Sequence, residues 1–192
     1  MGSVALGEAR PLKVRAFFGL PLPERHRAEL ATYVAACAEA APGFRWVATP
    51  NLHLTARFIG SIELANVEMI AERIAAVTPQ AFELQLGGTG TFGRGRRARV
   101  VWLGLLLGAA ELERLAAQVE AECVGAGLAP EARPLHPHLT LARALDRDGA
   151  VLPDLPDAPL LPRWPARELV LYRSHLGRTG STYEALRTIR LA

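Results

Sequence analysis

The chain has 192 residues, half of them hydrophobic, and a formal net charge of +3. This length predicts one domain, or one domain of two closely packed lobes. The isolated Cys37 and Cys123 argue against a disulfide framework and against a Cys-rich metal site. No apolar run reaches the ~18 residues of a membrane helix, and the N-terminus lacks the pattern of a secretory signal. We therefore expect a cytoplasmic protein without a membrane segment, with a flexible tail over residues 1–11 and a single domain over 12–192.

In chain order, apolar periodicity predicts seven strands and three helices arranged as βαβαββαβββ. The strands are predicted over 13–20, 52–60, 82–88, 99–107, 135–143, 168–176 and 183–191, and the helices over 21–40, 63–77 and 109–126. The short connections and this order predict an α+β fold with two antiparallel sheets covered by helices.

The connection between the third and fourth predicted strands is rich in glycine and arginine. Residues 88–93, GTGTFG, formally match a dinucleotide-binding fingerprint, but a loop and a strand follow where that fingerprint needs a helix, so we reject it. Arg94, Arg96, Arg97 and Arg99 come next. Guanidinium groups suit phosphate oxygens, and a solvated basic loop is the alternative interpretation.

Before the last two strands, prolines recur at every third position, the period of a polyproline II helix. They are Pro153, Pro156, Pro159, Pro162 and Pro165. The segment is either a ligand for an SH3-type partner or a stiff surface connection. We favour the connection, because the segment joins two strands and carries aliphatic residues that can pack down.

The chain has five histidines, and two of them repeat one pattern. HLTARFIG begins with His53 and Thr55, and PHLTLAR contains His138 and Thr140 in the same relation. Residues i and i+2 of a strand project to the same side, so each strand presents an imidazole beside a hydroxyl over an apolar back. One such pair indicates only a half-buried strand. Two pairs, each followed by an arginine, predict one shared site.

Such a pair suits displacement at phosphorus without a metal. One histidine takes a proton from the attacking group and the other gives a proton to the leaving oxygen, which the ordinary imidazole pKa of ~6.5 allows near neutrality. A metal site is the alternative: His136 and His138 share a strand face, and His53 or His175 would complete a zinc shell. His26 lies among charged residues of a predicted helix, and we expect it at the surface.

These residues resemble the 2H phosphoesterases, and within them the RNA 2′,3′-cyclic phosphodiesterases of the 2′-5′ RNA ligase family. The similarity extends beyond the two motifs to RAFFGLPLPE, RWVATPNLHLTARFIG, LQLGGTGTFGRGRRARVVWLGL and LYRSHLGRTGSTYEAL, and so to nearly everything from residue 12 onward. The resemblance implies a bilobal α+β fold with a central cleft. It also implies hydrolysis of a terminal 2′,3′-cyclic phosphate of RNA to a 2′-phosphate, without metal or cofactor, by a protein that we expect to be a monomer.

By motif position, the resemblance makes His53 and His138 the catalytic pair, with His53 protonating the leaving oxygen and His138 activating water. Thr55, Thr140 and Arg143 would bind the phosphate. Two further candidate substrate contacts are Phe58, near the base, and Tyr183, in the closing segment.

Strand periodicity conflicts with two of these assignments. Arg143 and Phe58 each stand an odd number of residues from their histidine, so a regular strand would aim them away from the cleft. A β-bulge or a strand end after Thr140, or a long side chain that reaches round the strand, would bring Arg143 back to the cleft, and the same holds for Phe58. Arg57 has the right parity in a regular strand, and it is therefore a second candidate for the phosphate site.

Three other functions stay open from the sequence. The first is a non-catalytic RNA-binding module that uses the same cleft and the arginines between 94 and 99. The second is a phosphodiesterase for a small cyclic nucleotide, and the third is a His-ligated metal hydrolase. ATP-independent 2′-5′ ligation of RNA, the reverse direction, is also implied by the resemblance.

Overall fold

Ten strands and three α-helices are found in the residues that this computed structural model describes, 11–177 and 180–192. The strands are β1 (Lys13–Pro21), β2 (Phe44–Trp46), β3 (His53–Glu63), β4 (Phe82–Arg94), β5 (Arg97–Leu107), β6 (Leu139–Ala144), β7 (Ala150–Val151), β8 (Trp164–Ala166), β9 (Glu168–Leu176) and β10 (Ser181–Arg190). The helices are α1 (Glu24–Ala40), α2 (Leu64–Ala76) and α3 (Ala109–Gly125), and a short 3-10 helix spans Thr49–Asn51. The predicted tail lies outside the described residues except for Pro11.

The strands form an antiparallel arrangement in the order β10-β9-β1-β3-β6-β5-β4-β8, with β2 added beside β6 and β7 beside β5. β3 and β6 are joined by one bridged pair, Leu54 and Leu139. We call β10-β9-β1-β3 the first half-sheet. The second half-sheet consists of β6-β5-β4-β8 together with β2 and β7. The predicted α+β fold with antiparallel strands is confirmed, but the strands form one large sheet, and the two predicted sheets are its halves, which meet at this single residue pair.

All three helices pack on one face of the two half-sheets. α2 buries a stripe of Val67, Ile70, Ala71 and Ile74, whose spacing of three and four residues is that of one helix face. Leu54 belongs to the same hydrophobic core. The opposite face of the sheets, which we call the open face, carries the polar residues of both His-x-Thr segments.

The three predicted helices are confirmed to within three residues at each end, and three short strands were missed. β2, β7 and β8 have two or three residues each, too few for a periodic pattern to identify. No helix in the described part of the chain is long and apolar enough to cross a membrane.

The proline-rich segment packs against α1. Leu161 and Trp164 are buried, and Nε2 of His26 lies 2.7 Å from the carbonyl oxygen of Pro162. These contacts agree with the interpretation as a connection that packs down. The prediction that His26 lies at the surface is wrong, because position 26 falls four residues before the buried Leu30 on the inner stripe of α1 and is 3% exposed.

Candidate active site

The first His-x-Thr segment opens strand β3, where side chains alternate between the two faces. His53 and Thr55 are half-buried on the open face, whereas Leu54 and Ala56 are buried beneath the helices. This is the alternation expected of a strand. The apolar back therefore fixes the direction of the polar pair.

Strand β3 leaves regular alternation at Ala56. Its pairing with β1 skips this residue, which makes Ala56 the extra residue of a β-bulge. As a result, Ala56 and Arg57 are both buried, and Phe58 returns to the open face with 42% of its side chain exposed.

Arg57 therefore does not reach the cleft, and the prediction that its parity would place it there is wrong. Its guanidinium lies on the helix side, where it pairs with Glu120 of α3 and with Glu131 at 2.7 Å. It also donates to the carbonyl oxygens of Phe58 and Ala129, both at 2.9 Å. The Arg57 side chain thus connects the bulge of β3 with the loop that follows α3 through hydrogen bonds and an ion pair.

Strand β6 has the same irregularity at the equivalent place. Its pairing with β5 skips Leu141, one residue after Thr140. Leu141 and Ala142 are both buried, and Arg143 returns to the open face. The bulge that Arg143 needed is present, and here the arginine lies on the cleft side.

The bridged pair joins Leu54 and Leu139, the middle residues of the two His-x-Thr motifs. In an antiparallel junction, the residues flanking such a pair face each other across the two strands. Each histidine is therefore next to the threonine of the other motif. The two half-sheets contribute equivalent groups to one place on the open face.

A cavity of about 420 Å³ opens at this junction. Six of the eight predicted site residues line it, Arg57 and His138 being the exceptions. The lining consists of Arg15, Phe17, Val47, Asn51, His53, Thr55, Phe58, Thr140, Arg143, Ser174, Leu176, Ser181 and Tyr183. His138 lies beside the cavity, adjacent in sequence to the bridged Leu139.

His53 is held between aromatic rings in the first half-sheet. Its Nδ1 lies 2.7 Å from the carbonyl oxygen of Asn51. Phe17 packs against the imidazole with 4.6 Å between ring centroids, and Tyr183 meets it edge-on at 5.1 Å. Gly19 lies behind, where a Cβ atom would come within 3.2 Å of the imidazole Cδ2.

His138 is held in the same way by a different set of neighbours. Its Nδ1 lies 2.6 Å from the carbonyl oxygen of His136. Phe92 meets the ring edge-on with 5.0 Å between centroids, and Trp102 lies at 6.2 Å. In both motifs the acceptor is the carbonyl two residues before the histidine.

A carbonyl oxygen can only accept, so Nδ1–H donates in both histidines. Nε2 is thereby left as the reactive nitrogen of each ring, with a lone pair in the neutral form and a proton in the charged form. The backbone selects one tautomer for each histidine without using any other side chain.

The surroundings make both imidazoles less basic than usual. Burial lowers the pKa of His53 to about 4, opposed by the Asn51 carbonyl and reinforced by the positive charges of Arg143 and His138. Burial also lowers the pKa of His138, opposed by the hydrogen bond to the His136 carbonyl and reinforced by the His136 imidazole and the Arg143 guanidinium. Near pH 7 the free protein therefore carries two neutral imidazoles, and an anion in the cleft would favour their protonation.

A metal would need a third ligand beside the histidines. Within residues 11–177 and 180–192, no group of three or more His, Cys, Asp or Glu side chains is placed to hold a metal ion. His175, one of the ligands considered from the sequence, instead lies with Nε2 at 2.9 Å from Glu184 on an exposed part of β9 and β10.

Several cavity residues were not found from the sequence. Arg15 and Phe17 come from β1, and the guanidinium carbon of Arg15 lies 4.7 Å from the centre of the Phe58 ring. Asn51 donates from its side-chain amide to the carbonyl oxygen of Ser181 at 2.7 Å. The alternation of β1 was the available signal, since Arg15 and Phe17 share a face, but the run Phe17–Phe18 obscured it.

Comparison with known proteins gives one matching family. Residues 22–178 match the 2′-5′ RNA ligase superfamily. The chain is similar to the RNA 2′,3′-cyclic phosphodiesterase of Escherichia coli, with 29% identity over 173 residues that cover 90% of this chain and 94% of the relative. The protein of the same name from Aeropyrum pernix is 43% identical over 93 residues, or 48% of this chain and 53% of the relative.

A further RNA 2′,3′-cyclic phosphodiesterase, from Geobacillus stearothermophilus, is 30% identical over 169 residues, or 85% of this chain and 53% of the relative. The matches thus span about half the length of the Aeropyrum and Geobacillus relatives. Among solved structures, Escherichia coli LigT complexed with 3′-AMP has a TM-score of 0.80 and 27% identity, covering 94% of this chain and 99% of that one. A protein from Thermus thermophilus has a TM-score of 0.77 and 26% identity, covering 92% of this chain and 97% of that one. These similarities confirm the predicted fold.

Proposed function

The chain belongs to the 2′-5′ RNA ligase superfamily, and we propose that it hydrolyses 2′,3′-cyclic phosphate ends of RNA to 2′-phosphates without a metal or a cofactor. The observation that carries the proposal is the equivalent placement of two histidines, each with Nδ1 bound to the carbonyl two residues earlier. Two such imidazoles beside one cleft supply an acid and a base for a single displacement.

In the proposed reaction, water attacks phosphorus in line with the bond to the 3′ oxygen. Nε2 of His138 takes a proton from the water, the bond from phosphorus to the 3′ oxygen breaks, and Nε2–H of His53 gives that oxygen a proton. The product keeps its phosphate on the 2′ oxygen. The anionic phosphate supports protonation of His53 in the complex, which offsets the effect of burial on its pKa.

The groups around the histidines suit the charge that develops on phosphorus. Thr55 and Thr140 would donate from their hydroxyls to the non-bridging oxygens, and Arg143 would add a cation. Such donors stabilise the transition state most when they are fixed before the substrate arrives. Arg143 enters the cleft because of the bulge at Leu141, and both threonines are anchored by buried neighbours in their strands.

Phe58 and Tyr183 would contact the nucleoside that carries the cyclic phosphate, since both line the cavity. The same acid and base would join RNA ends by ATP-independent 2′-5′ ligation if a 5′-hydroxyl replaced water. All of these groups come from one chain, and we expect a monomer to be active.

The proposal is tested with a single-stranded RNA that ends in a 2′,3′-cyclic phosphate, assayed in excess EDTA. The expected product is the 2′-phosphate, and His53→Ala and His138→Ala should each reduce the rate by roughly 10³-fold. His175→Ala is the matched control, because His175 is exposed and is not among the cavity-lining residues. Full activity of either cleft variant would contradict the proposal.

The same assay separates two alternatives. A non-catalytic RNA-binding module would bind the RNA in a salt-dependent way without turnover. A phosphodiesterase for small cyclic nucleotides is favoured by the size of the cavity, about 420 Å³, and would open a 2′,3′-cyclic mononucleotide at least as efficiently as the RNA.

A further inference from the structure

The open face of the second half-sheet continues beyond the cavity as a row of side chains from four neighbouring strands. Arg45 of β2 pairs with Arg143 of β6, Arg143 with Val100 of β5, and Val100 with Phe92 of β4. Residues directly opposite each other in a sheet project to the same face. Since Arg143 lines the cavity, the row passes through the candidate active site and extends to both sides of it.

The β4 end of this surface is aromatic. The rings of Phe92 and Trp102 lie 5.2 Å apart, and His136 meets them edge-on at 5.2 and 5.1 Å. We call these three residues the aromatic platform. Phe92 and Trp102 are half-buried and His136 is exposed, so part of the platform faces solvent next to His138.

A glycine makes room for the platform. A Cβ atom on Gly90 would lie 2.2 Å from the indole ring of Trp102, so no other residue fits beneath that ring. Gly90 belongs to the GTGTFG segment, which forms the second half of β4 and is followed by β5 instead of a helix. Gly90 therefore leaves space for the Trp102 ring. This packing explains one glycine of the segment that resembled a nucleotide fingerprint.

Arginines flank the platform. Arg94 lies two residues beyond Phe92 on β4, hence on the same face, and Arg45 lies at the other end of the row. Both are exposed, and no hydrogen-bond or ion-pair partner of either side chain is found in 11–177 or 180–192. Arg97, opposite Arg94, is instead bound to Asp146 at 3.1 Å.

The surface is too large for one nucleotide. With strands spaced ~4.8 Å apart, the four strands from Arg45 to Phe92 span roughly 14 Å, and the aromatic platform lies outside the cavity lining. Proteins bind single-stranded nucleic acids by stacking bases on aromatic side chains while cations follow the phosphates. Exposed aromatic rings with arginines on two sides have this composition.

We propose that the aromatic platform, together with Arg45 and Arg94, binds the nucleotides immediately 5′ of the cyclic phosphate in a single-stranded RNA. A base stacks on Phe92 and Trp102, and the backbone phosphates lie against the two arginines. This inference rests on the proposed function and names its substrate class: an RNA chain is preferred to a cyclic mononucleotide because only the chain reaches the platform.

The test compares kcat/KM for a 2′,3′-cyclic mononucleotide and for a single-stranded RNA that ends in the same nucleotide. In Arg45→Ala/Arg94→Ala, the ratio of RNA to mononucleotide should fall at least about tenfold. The salt dependence of RNA binding should become shallower by about 1.4 in log–log slope, for two lost phosphate contacts. Arg167→Ala/Arg190→Ala is the control: it removes the same charge from exposed arginines beside the ends of β9 and β10 that are remote from the cavity-lining Ser174 and Ser181.

A second variant tests the aromatic part without removing charge. Phe92→Leu keeps an apolar side chain but loses the stacking surface, and the same ratio should fall about fivefold, in line with ~1 kcal/mol or more per stacked base. A ratio that stays at the wild-type value in both variants overturns the inference.

Binding distinguishes this inference from the proposed function. Fluorescence anisotropy of a labelled RNA that ends in a 2′-phosphate reports the platform without catalysis. If the wild-type protein opens no cyclic phosphate but Arg45→Ala/Arg94→Ala weakens RNA binding relative to the control, the proposed function fails and the platform stands. If cyclic ends are opened but the double variant and the control bind RNA equally, the platform fails and the proposed function stands.

Discussion

His53 is the first residue of β3 and is paired with Pro21 of β1 in the first half-sheet, whereas His138 comes one residue before β6, at the end of the loop that enters the second half-sheet. The local geometry of the two is nevertheless the same. Each imidazole donates to the carbonyl two residues earlier, and each strand has a bulge directly after its threonine. The short motif thus specifies the direction and the tautomer of its histidine, whatever surrounds it.

The residues around the two histidines differ in how far they enclose the imidazole. Phe17 and Tyr183 enclose His53, and burial lowers its pKa to about 4. His138 lies beside a surface that continues outward over Phe92 and Trp102. Under the proposed function, the enclosed side would take the terminal nucleoside and the open side the rest of the RNA chain.

Removal of either histidine should cause the greatest loss of activity, and a second substrate then distinguishes the acid from the base. On cyclic-phosphate RNA, His53→Ala and His138→Ala should each lose roughly 10³-fold in rate, within the usual range for an acid or a base. The p-nitrophenyl ester of a nucleoside 2′-phosphate has a leaving group that departs without a proton. On this ester, His53→Ala should come within about tenfold of the wild-type rate, because only the acid has become unnecessary.

On the same ester, His138→Ala should stay as impaired as on RNA, because water must still be activated. Release of p-nitrophenolate, followed by absorbance, gives both rates, and the wild-type protein is measured on both substrates as the reference. Recovery of His138→Ala in place of His53→Ala would reverse the assignment of acid and base.

A second prediction compares the arginines that the two bulges place on opposite sides of the sheet. Arg57 is 8% exposed and pairs with Glu120 and Glu131, so Arg57→Met should lower the free energy of unfolding by about 3 kcal/mol, as loss of one member of a buried ion pair does. Arg143 is exposed on the open face, and Arg143→Met should leave stability within about 0.5 kcal/mol. Its kcat/KM should fall roughly 10²-fold through loss of a donor to the phosphate.

Urea unfolding and steady-state kinetics of the two variants check this contrast. The two substitutions are matched, since each replaces an arginine by an apolar side chain of similar length. Two outcomes would contradict the placement of Arg57 on the helix side. One is an equal loss of stability in the two variants. The other is an Arg57→Met protein of wild-type stability whose kcat/KM falls as far as that of Arg143→Met.

The parts of this structure that depend on short-range periodicity could be predicted from the sequence. The direction of His53 and Thr55 against Leu54 follows from a period of two, and the helices follow from spacings of three and four residues. The equivalence of the two motifs could also be predicted from the sequence, because both contain His-x-Thr followed by an arginine.

The bulges could not be predicted with certainty, because a bulge is a relation between two strands. Nothing in Ala56 or Leu141 marks it as an extra residue; the register of β1 and of β5 decides it. For this reason the sequence could show that Arg143 and Phe58 each need a bulge to reach the cleft, but not that the bulges exist, and Arg57 was placed on the wrong side. The space that Gly90 leaves for Trp102 is non-local in the same sense, since it depends on the pairing of β4 with β5.

The last prediction concerns the dependence of the rate on pH. In the proposed mechanism the productive form of the free protein carries one protonated histidine, and burial lowers the pKa of both histidines below the ordinary 6.5. The protonated fraction, and with it kcat/KM, should therefore fall about tenfold per pH unit already above pH ~6.5. The bound phosphate raises both pKa values, so the fall in kcat should begin at higher pH than the fall in kcat/KM.

Arg143 lowers both pKa values, and in Arg143→Gln the fall in kcat/KM should move upward in pH. Initial rates of cyclic-phosphate opening between pH ~5 and ~8.5 check all three statements, and a downward move in Arg143→Gln would show that its charge does not act on the two imidazoles as the geometry implies.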